Sequence, residues 1–184
     1  FATALQSAAS GSSFAILTET VTSPTLARQL AQVFEAYPDT RWYQYDQLHN
    51  ANGLEGSRLA FGEAVTTRYD FSQADVVVSL GADFLGEGPA RIRYTKDFSR
   101  RRKVLSASDT MNRLYVMESH PSLTGAKADH RLTVRPSQIA TLAAHIAGEL
   151  GVAGAEAALP EGLNAEVVEA LLADLQGANG RSIV

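Results

Sequence analysis

Asp75-Val76-Val77-Val78-Ser79-Leu80-Gly81 constrains this chain more than any other stretch. A short apolar run rich in β-branched residues and bounded by turn signals reads as a strand buried on both faces. Such a strand needs cover above and below, and helix-like stretches lie on either side of it in the sequence. It is therefore expected at the centre of a parallel sheet. Gly81 and the following Ala82-Asp83-Phe84-Leu85-Gly86 then form the loop at its carboxyl end. Ligands of open α/β sheets bind along that edge, so this loop is the first candidate for a site.

The remaining segments supply the alternation that a parallel sheet requires. Phe14 to Leu17 reads as a first strand, closed by the loop Thr18-Glu19-Thr20-Val21-Thr22. Ser23-Pro24 opens a helix, with serine as N-cap and proline as first helical residue. Leu26, Leu30, Val33, Phe34 and Tyr37 share one face of it. Arg41 to Tyr45 reads as a second strand, followed by Asp46, and Asn52 to Phe61 as a short helix weakened by Gly53 and Gly56. Beyond the central strand, Pro89 to about Arg101 is amphipathic. Lys103 to Ala107, Leu114 to Met117 and Arg131 to Val134 read as strands, and Pro136 opens a helix reaching Leu150. Gly151 to Gly162 is a surface connection, Leu163 to Leu175 a last helix, and Arg181 to Val184 the start of another strand.

This order predicts the α/β class: a doubly wound, mainly parallel sheet with helices on both faces. The strands at Phe14 to Leu17 and Leu114 to Met117 are expected beside the central one. Residues 1–150 are expected to form the α/β domain. Residues 151–184 are expected to add a connection, a helix and a strand start, in a piece cut from a longer parent. The loops Thr18 to Thr22, Tyr45 to Asn50, Gly81 to Gly86 and Glu118 to Ser122 would then meet along one sheet edge.

Composition removes several chemistries. The 184 residues are 45% hydrophobic and 20% charged, with a net charge of −4, which suits a globular domain and argues against a nucleic-acid partner. There is no cysteine, so no disulfide framework, thiolate zinc site or cysteine-ligated iron–sulfur cluster can form from these residues. No apolar run is long enough to span a bilayer. The one basic cluster, Arg100-Arg101-Arg102-Lys103, reads as the solvated end of a helix. His49, His120, His130 and His145 form no i,i+4 pair and lack metal-site spacing. The glycine-rich loop after the central strand has no Gly-Lys-Ser/Thr and no Gly-x-Gly-x-x-Gly order. No Gly-x-Ser-x-Gly elbow supports hydrolase chemistry. Asp70, Asp75 and Asp83 flank the strand, with Asp75 and Asp83 at opposite ends, so caps and turns account for them better than a shared cation.

Met111 to Pro136 sharpens the reading. Its strand Tyr115 to Met117, Thr124, Ala128-Asp129 and closing Arg135-Pro136 resemble the molybdopterin oxidoreductase family of dimethyl-sulfoxide-reductase and formate-dehydrogenase type. Phe61-Gly62, Tyr69-Asp70, Ala74-Asp75 and Gly81-Ala82-Asp83 resemble earlier stations of that family, in the family's order. Within it, Ser23 to Ala27, Ala82 to Leu85, Met111 to Tyr115 and Thr124 to Leu132 are most similar to the molybdopterin-like iron–sulfur subunit of bacterial alternative complex III. The resemblance covers the chain to about Leu150.

It implies a formate dehydrogenase/DMSO reductase domain type and membrane-linked electron transfer by quinol oxidation. The implied partners are the remainder of a parent chain and the other subunits of a membrane electron-transfer complex, without direct membrane insertion. The implied location is the periplasmic side of a bacterial inner membrane. Relatives carry molybdopterin guanine dinucleotide and iron–sulfur clusters. Here the metal-ligand station falls near Leu48-His49-Asn50, with no thiol or carboxylate. The family's Asp-Pro-Arg is Glu118-Ser119-His120, and its Gly-Thr-Asp is Ser137-Gln138-Ile139. These departures imply a kept fold without a cofactor of its own. Thr18, Glu19, Asp46, His49, Gly81, Asp83 and Glu118 would mark a vestigial pterin-guanosine edge. Two alternatives stand beside this one. The first is a fragment of an active molybdopterin oxidoreductase with Asp46 or His49 near the metal. The second is a nucleotide-binding domain like the central domain of thiamine-diphosphate enzymes.

Overall fold

A computed structural model of the chain describes residue 3, residues 14–46 and residues 51–184. The chain divides into two compact units, Phe1–Thr67 and Arg68–Val184. Both are α/β, with parallel strands and accompanying helices.

In the first unit, strand β1 (Ala15–Thr18) pairs in parallel with β2 (Arg41–Gln44), with Ile16 opposite Trp42. Helix α1 (Pro24–Ala36) makes the crossover. Its N-cap Ser23 accepts a hydrogen bond from the Leu26 amide, and Pro24 occupies the first turn, where no intrahelical N–H is needed. Leu30 is its one buried residue, while Phe34 packs on the Trp42 ring of β2 at 5.7 Å. Helix α2 (Ala51–Phe61) follows and ends at Gly62, whose φ of +82° suits a residue without Cβ.

The second unit holds a four-stranded parallel sheet in the order β5-β4-β3-β6: His130–Thr133, Arg113–Glu118, Val76–Leu80 and Ser182–Ile183. The run of valines is β3, central as expected. Side chains alternate across it. Val76 and Val78, with Tyr115 and Met117 of β4, pack beneath helices α4 (Pro136–Glu149) and α5 (Ala165–Gly177). Val77, with Leu114 and Val116, packs on the opposite face against Phe98 of α3 (Arg91–Arg101) and against Phe71. Helices therefore cover both faces, as in a doubly wound sheet. Ser79, the one polar residue of β3, is buried and donates to the Ala82 carbonyl at 2.6 Å, so its hydroxyl is satisfied. Residues 151–184 contribute α5, with Val168, Leu171 and Leu175 in the core, and β6.

Two expectations fail here. Strand β1 is not a neighbour of β3. The free edge of β3 is taken by the chain end: the Asp75 amide donates to the Arg181 carbonyl at 2.7 Å, and β6 continues the ladder. The stretch Lys103 to Ala107 is not a strand. The amides of Leu105 and Ser106 both donate to the Asp109 carboxylate, at 2.8 and 2.9 Å, which gives them a local partner in place of a ladder.

Candidate functional site

The carboxyl edge of the four-stranded sheet is formed by the segments that follow β3, β4 and β5. Gly81 leaves β3 at φ +74°, and its amide donates to the Met117 carbonyl at 2.8 Å. That left-handed turn swings Ala82 and Asp83 over the strand ends. Asp83 then faces the segment after β4. Its carboxylate accepts from the Thr124 amide at 2.9 Å, the Thr124 hydroxyl at 2.6 Å and the Gly86 amide at 3.2 Å. Thr124 is fully buried, and its oxygen accepts in turn from the Leu85 amide at 3.0 Å. Burial pushes the Asp83 carboxyl up, but the hydrogen bonds from Thr124, Gly86 and Leu123 outweigh it and hold the carboxyl below its ordinary value.

Glu118, the last residue of β4, follows the same pattern. It is buried and accepts from the Ser122 hydroxyl at 2.6 Å and from Arg131 Nε of β5 at 2.5 Å. Burial raises its pKa, while Arg131 and Ser122 lower it further, so the carboxyl stays ionised below the usual range. Each carboxylate is packed closely against a glycine. A Cβ on Gly86 would meet Asp83, and a Cβ on Gly125 would meet Glu118. The two acids therefore anchor the segment 119–127 to the sheet.

A cleft of about 580 Å³ remains outside them, lined by Gly81, Asp83, Glu87, Glu118 and His120 among others. A second, of about 550 Å³, lies beyond Ser119 at the end of β5, with Arg135, Gln138 and Glu161. Arg135 makes no ion pair among the described residues.

The first-unit residues of the expected edge belong to another sheet. Thr18 ends β1, and its hydroxyl accepts from Trp42 Nε1 at 3.0 Å. Glu19 follows it, exposed. Asp46, just beyond β2, accepts from the Thr20 amide at 2.9 Å and also from the Thr20 hydroxyl, tying the two loops together. His49 lies outside the described residues. All of the described residues do sit at carboxyl ends of parallel strands. They form two groups on two sheets, where one edge was expected, because among the described residues β1 and β2 pair only with each other.

The residues of the larger cleft do not fit a pyrophosphate-bearing cofactor. Such a group needs amide N–H groups, a helix N-terminus or arginine. The cleft offers three carboxylates against His120, and the nearby amides of Leu85, Gly86 and Thr124 already donate within the protein. Among the described residues no cluster of three histidine, aspartate or glutamate side chains could hold a metal ion.

Neither a protein-family model nor a curated protein sequence matches this chain. The site rests on its own geometry. The sequence does not mark Arg131, Ser122 or Gly125 as neighbours of Glu118. Their signal is tertiary: each acquires its role only by meeting Glu118. Asp129 does have a legible signal in Ala128-Asp129. Its carboxylate accepts from the Leu114 amide at 2.8 Å and pairs with both terminal nitrogens of Arg102, at 2.8 and 2.6 Å. It thereby joins the start of β4 to the end of α3.

Proposed function

We propose that this chain is a domain of a molybdopterin-oxidoreductase-like iron–sulfur subunit that takes part in membrane-linked quinol oxidation and has no molybdenum cofactor of its own. The observation that carries this reading is an ordered coincidence. Gly81-Ala82-Asp83, Glu118-Ser119-His120 and Arg135-Pro136 follow the family's order in sequence, and they fall at the ends of β3, β4 and β5, three adjacent parallel strands. At the first two of these stations the side chains that could face a ligand are engaged by Thr124, Ser122 and Arg131. A domain that keeps the shape of a ligand edge and uses its polar groups internally suits a scaffold role. Iron–sulfur clusters would then be carried by cysteines outside these 184 residues, and the edge would serve as packing surface for the rest of the parent and its companion subunits.

Two measurements test this. Calorimetry with GDP on the chain should give no binding tighter than millimolar. Purification of the native complex through a tag on this chain should recover iron–sulfur clusters and quinol-oxidising activity, without molybdenum or pterin assignable to it. Micromolar GDP affinity, or pterin at one per chain, would point instead to a working molybdopterin enzyme. Tight binding of an adenine nucleotide at Gly81-Ala82-Asp83 would favour the nucleotide-binding alternative.

A further inference from the structure

Charge in this chain is unevenly distributed. Residues 87–109 hold seven of the sixteen basic residues and three of the twenty acidic ones, a net +4 that leaves −8 on the remainder. Nearly half of this segment is α3, whose aromatic side chains Tyr94 and Phe98 pack inward. The cluster at its end is only in part the solvated helix terminus that the sequence suggests. Arg101 pairs with Asp75, and Arg102 pairs with Asp129 while lying 5.4 Å from the Phe98 ring centre. Arg93 pairs with Asp97. Arg91, Lys96, Arg100 and Lys103 make no ion pair among the described residues.

Ile92, Lys96 and Arg100 follow one another at four-residue spacing and form one exposed stripe of α3, and Lys103, also exposed, lies just beyond the helix end. The stripe continues into Val104 and Leu105, which are 50% and 78% exposed, and Ile92 is 74% exposed. Along the adjacent row of α3, Thr95 and Ser99 border a cleft of about 430 Å³ lined also by Leu85, Phe98, Arg102, Leu123 and Lys127. Exposed aliphatics, unpaired cations and a mostly apolar cleft thus lie along α3 and the segment that follows it.

We propose that this face of α3 is a peripheral docking surface for an anionic phospholipid bilayer, lying on the membrane rather than across it. Three features favour lipid over a protein partner or nucleic acid. Lysine is depleted from protein–protein interfaces while tryptophan and tyrosine are enriched, and this stripe has lysine with no exposed aromatic. Cations interleaved with exposed Ile, Val and Leu match the pattern of interfacial helices, whose apolar residues enter the headgroup boundary. The cleft beside the stripe, mostly apolar and lined by Lys127, can accept part of an acyl chain beneath a phosphate. The acids nearest the face are limited. Asp97 faces Arg93, Asp109 is held by the Leu105 and Ser106 amides, and Glu87 precedes the helix. This inference does not rest on the function proposed above.

Sedimentation of the whole chain with vesicles is the test. It should bind phosphatidylglycerol in phosphatidylcholine at low salt, leave phosphatidylcholine alone unbound, and be released as salt rises. The variant Lys96→Gln/Arg100→Gln/Lys103→Gln should weaken binding on the order of a hundredfold, with an unchanged melting temperature, since none of the three is internally paired. Ile92→Ser/Leu105→Ser should weaken binding while leaving its salt dependence intact. Absence of binding to the anionic vesicles, or a triple variant that binds as the parent does, would overturn the proposal. Equal affinity for single-stranded DNA or polyglutamate would also overturn it, by showing a generic polyanion or acidic-protein patch.

Discussion

Leu17 in β1 and Leu114 in β4 are the same residue in the same kind of parallel strand, yet one is 70% exposed and the other has no exposed surface. The two sheets differ in cover. In the four-stranded sheet, α4 and α5 seal one face and α3 with Phe71 seals the other, so Val77 and Leu114 have nowhere to meet water. In the two-stranded sheet all four residues of β2 remain exposed, including Trp42 and Tyr43. Apolar residues in a strand therefore state a capacity for burial. The number of layers packed on the strand decides how much of that capacity is used, at roughly 25 cal/mol per Å².

The sharpest way to break this comparison is to place one charge in each sheet. Val77→Asp buries a carboxylate with no partner and should cost several kcal/mol or more, enough to abolish cooperative folding. Tyr43→Asp, on an exposed strand, should change stability by no more than about 1 kcal/mol. Thermal melts followed by circular dichroism read both. A soluble, cooperatively melting Val77→Asp chain would mean that β3 is not the enclosed centre of its sheet.

A smaller effect with opposite signs comes from two glycines. Gly125→Ala drives a methyl into the Glu118 carboxylate, which Arg131 and Ser122 hold in place, and should lower stability by about 1–3 kcal/mol. Gly56→Ala, in helix α2 with open space around it, should raise stability by about 0.5–1 kcal/mol. Melting temperatures moving in the same direction would show that the enclosure around Glu118 is looser than its geometry implies.

Acid sharpens the contrast further. Asp83 and Glu118 have folded pKa values below their ordinary 3.8 and 4.5. A depressed folded pKa contributes stability that is fully present above the unfolded value and is lost as pH falls through the folded one. The chain should therefore melt at a steady temperature from neutral pH down to about the ordinary carboxylate range and lose stability below it. The deficit of Glu118→Gln relative to the parent should shrink over that same window. Glu55, lowered by its bond to Arg58 but exposed, should contribute less, so Glu55→Gln should leave the acid limb nearly unchanged. A parent and a Glu118→Gln variant with parallel pH profiles would remove Glu118 from this role.

The sequence by itself determined the class of the fold and the identity of most elements. Three valines in a row could be satisfied only by a strand covered on both sides, and the serine-proline start of α1 and the periodic faces of α4 and α5 were local enough to read. It also located the carboxyl-end loop that includes Asp83. Only the tertiary structure decided what that loop does with its charges. Asp83 reaches Thr124, forty-one residues away, and Glu118 reaches Arg131 on the next strand. No local pattern encodes a hydrogen bond between segments that meet only after the sheet has formed. The same reason explains the errors. The partner on the free edge of β3 was the chain end rather than β1, and the basic run at the end of α3 was divided between internal pairs and a free face. Periodicity fixes which face of an element is apolar, while strand order and ion pairing depend on long-range contacts whose energies are invisible in any short window.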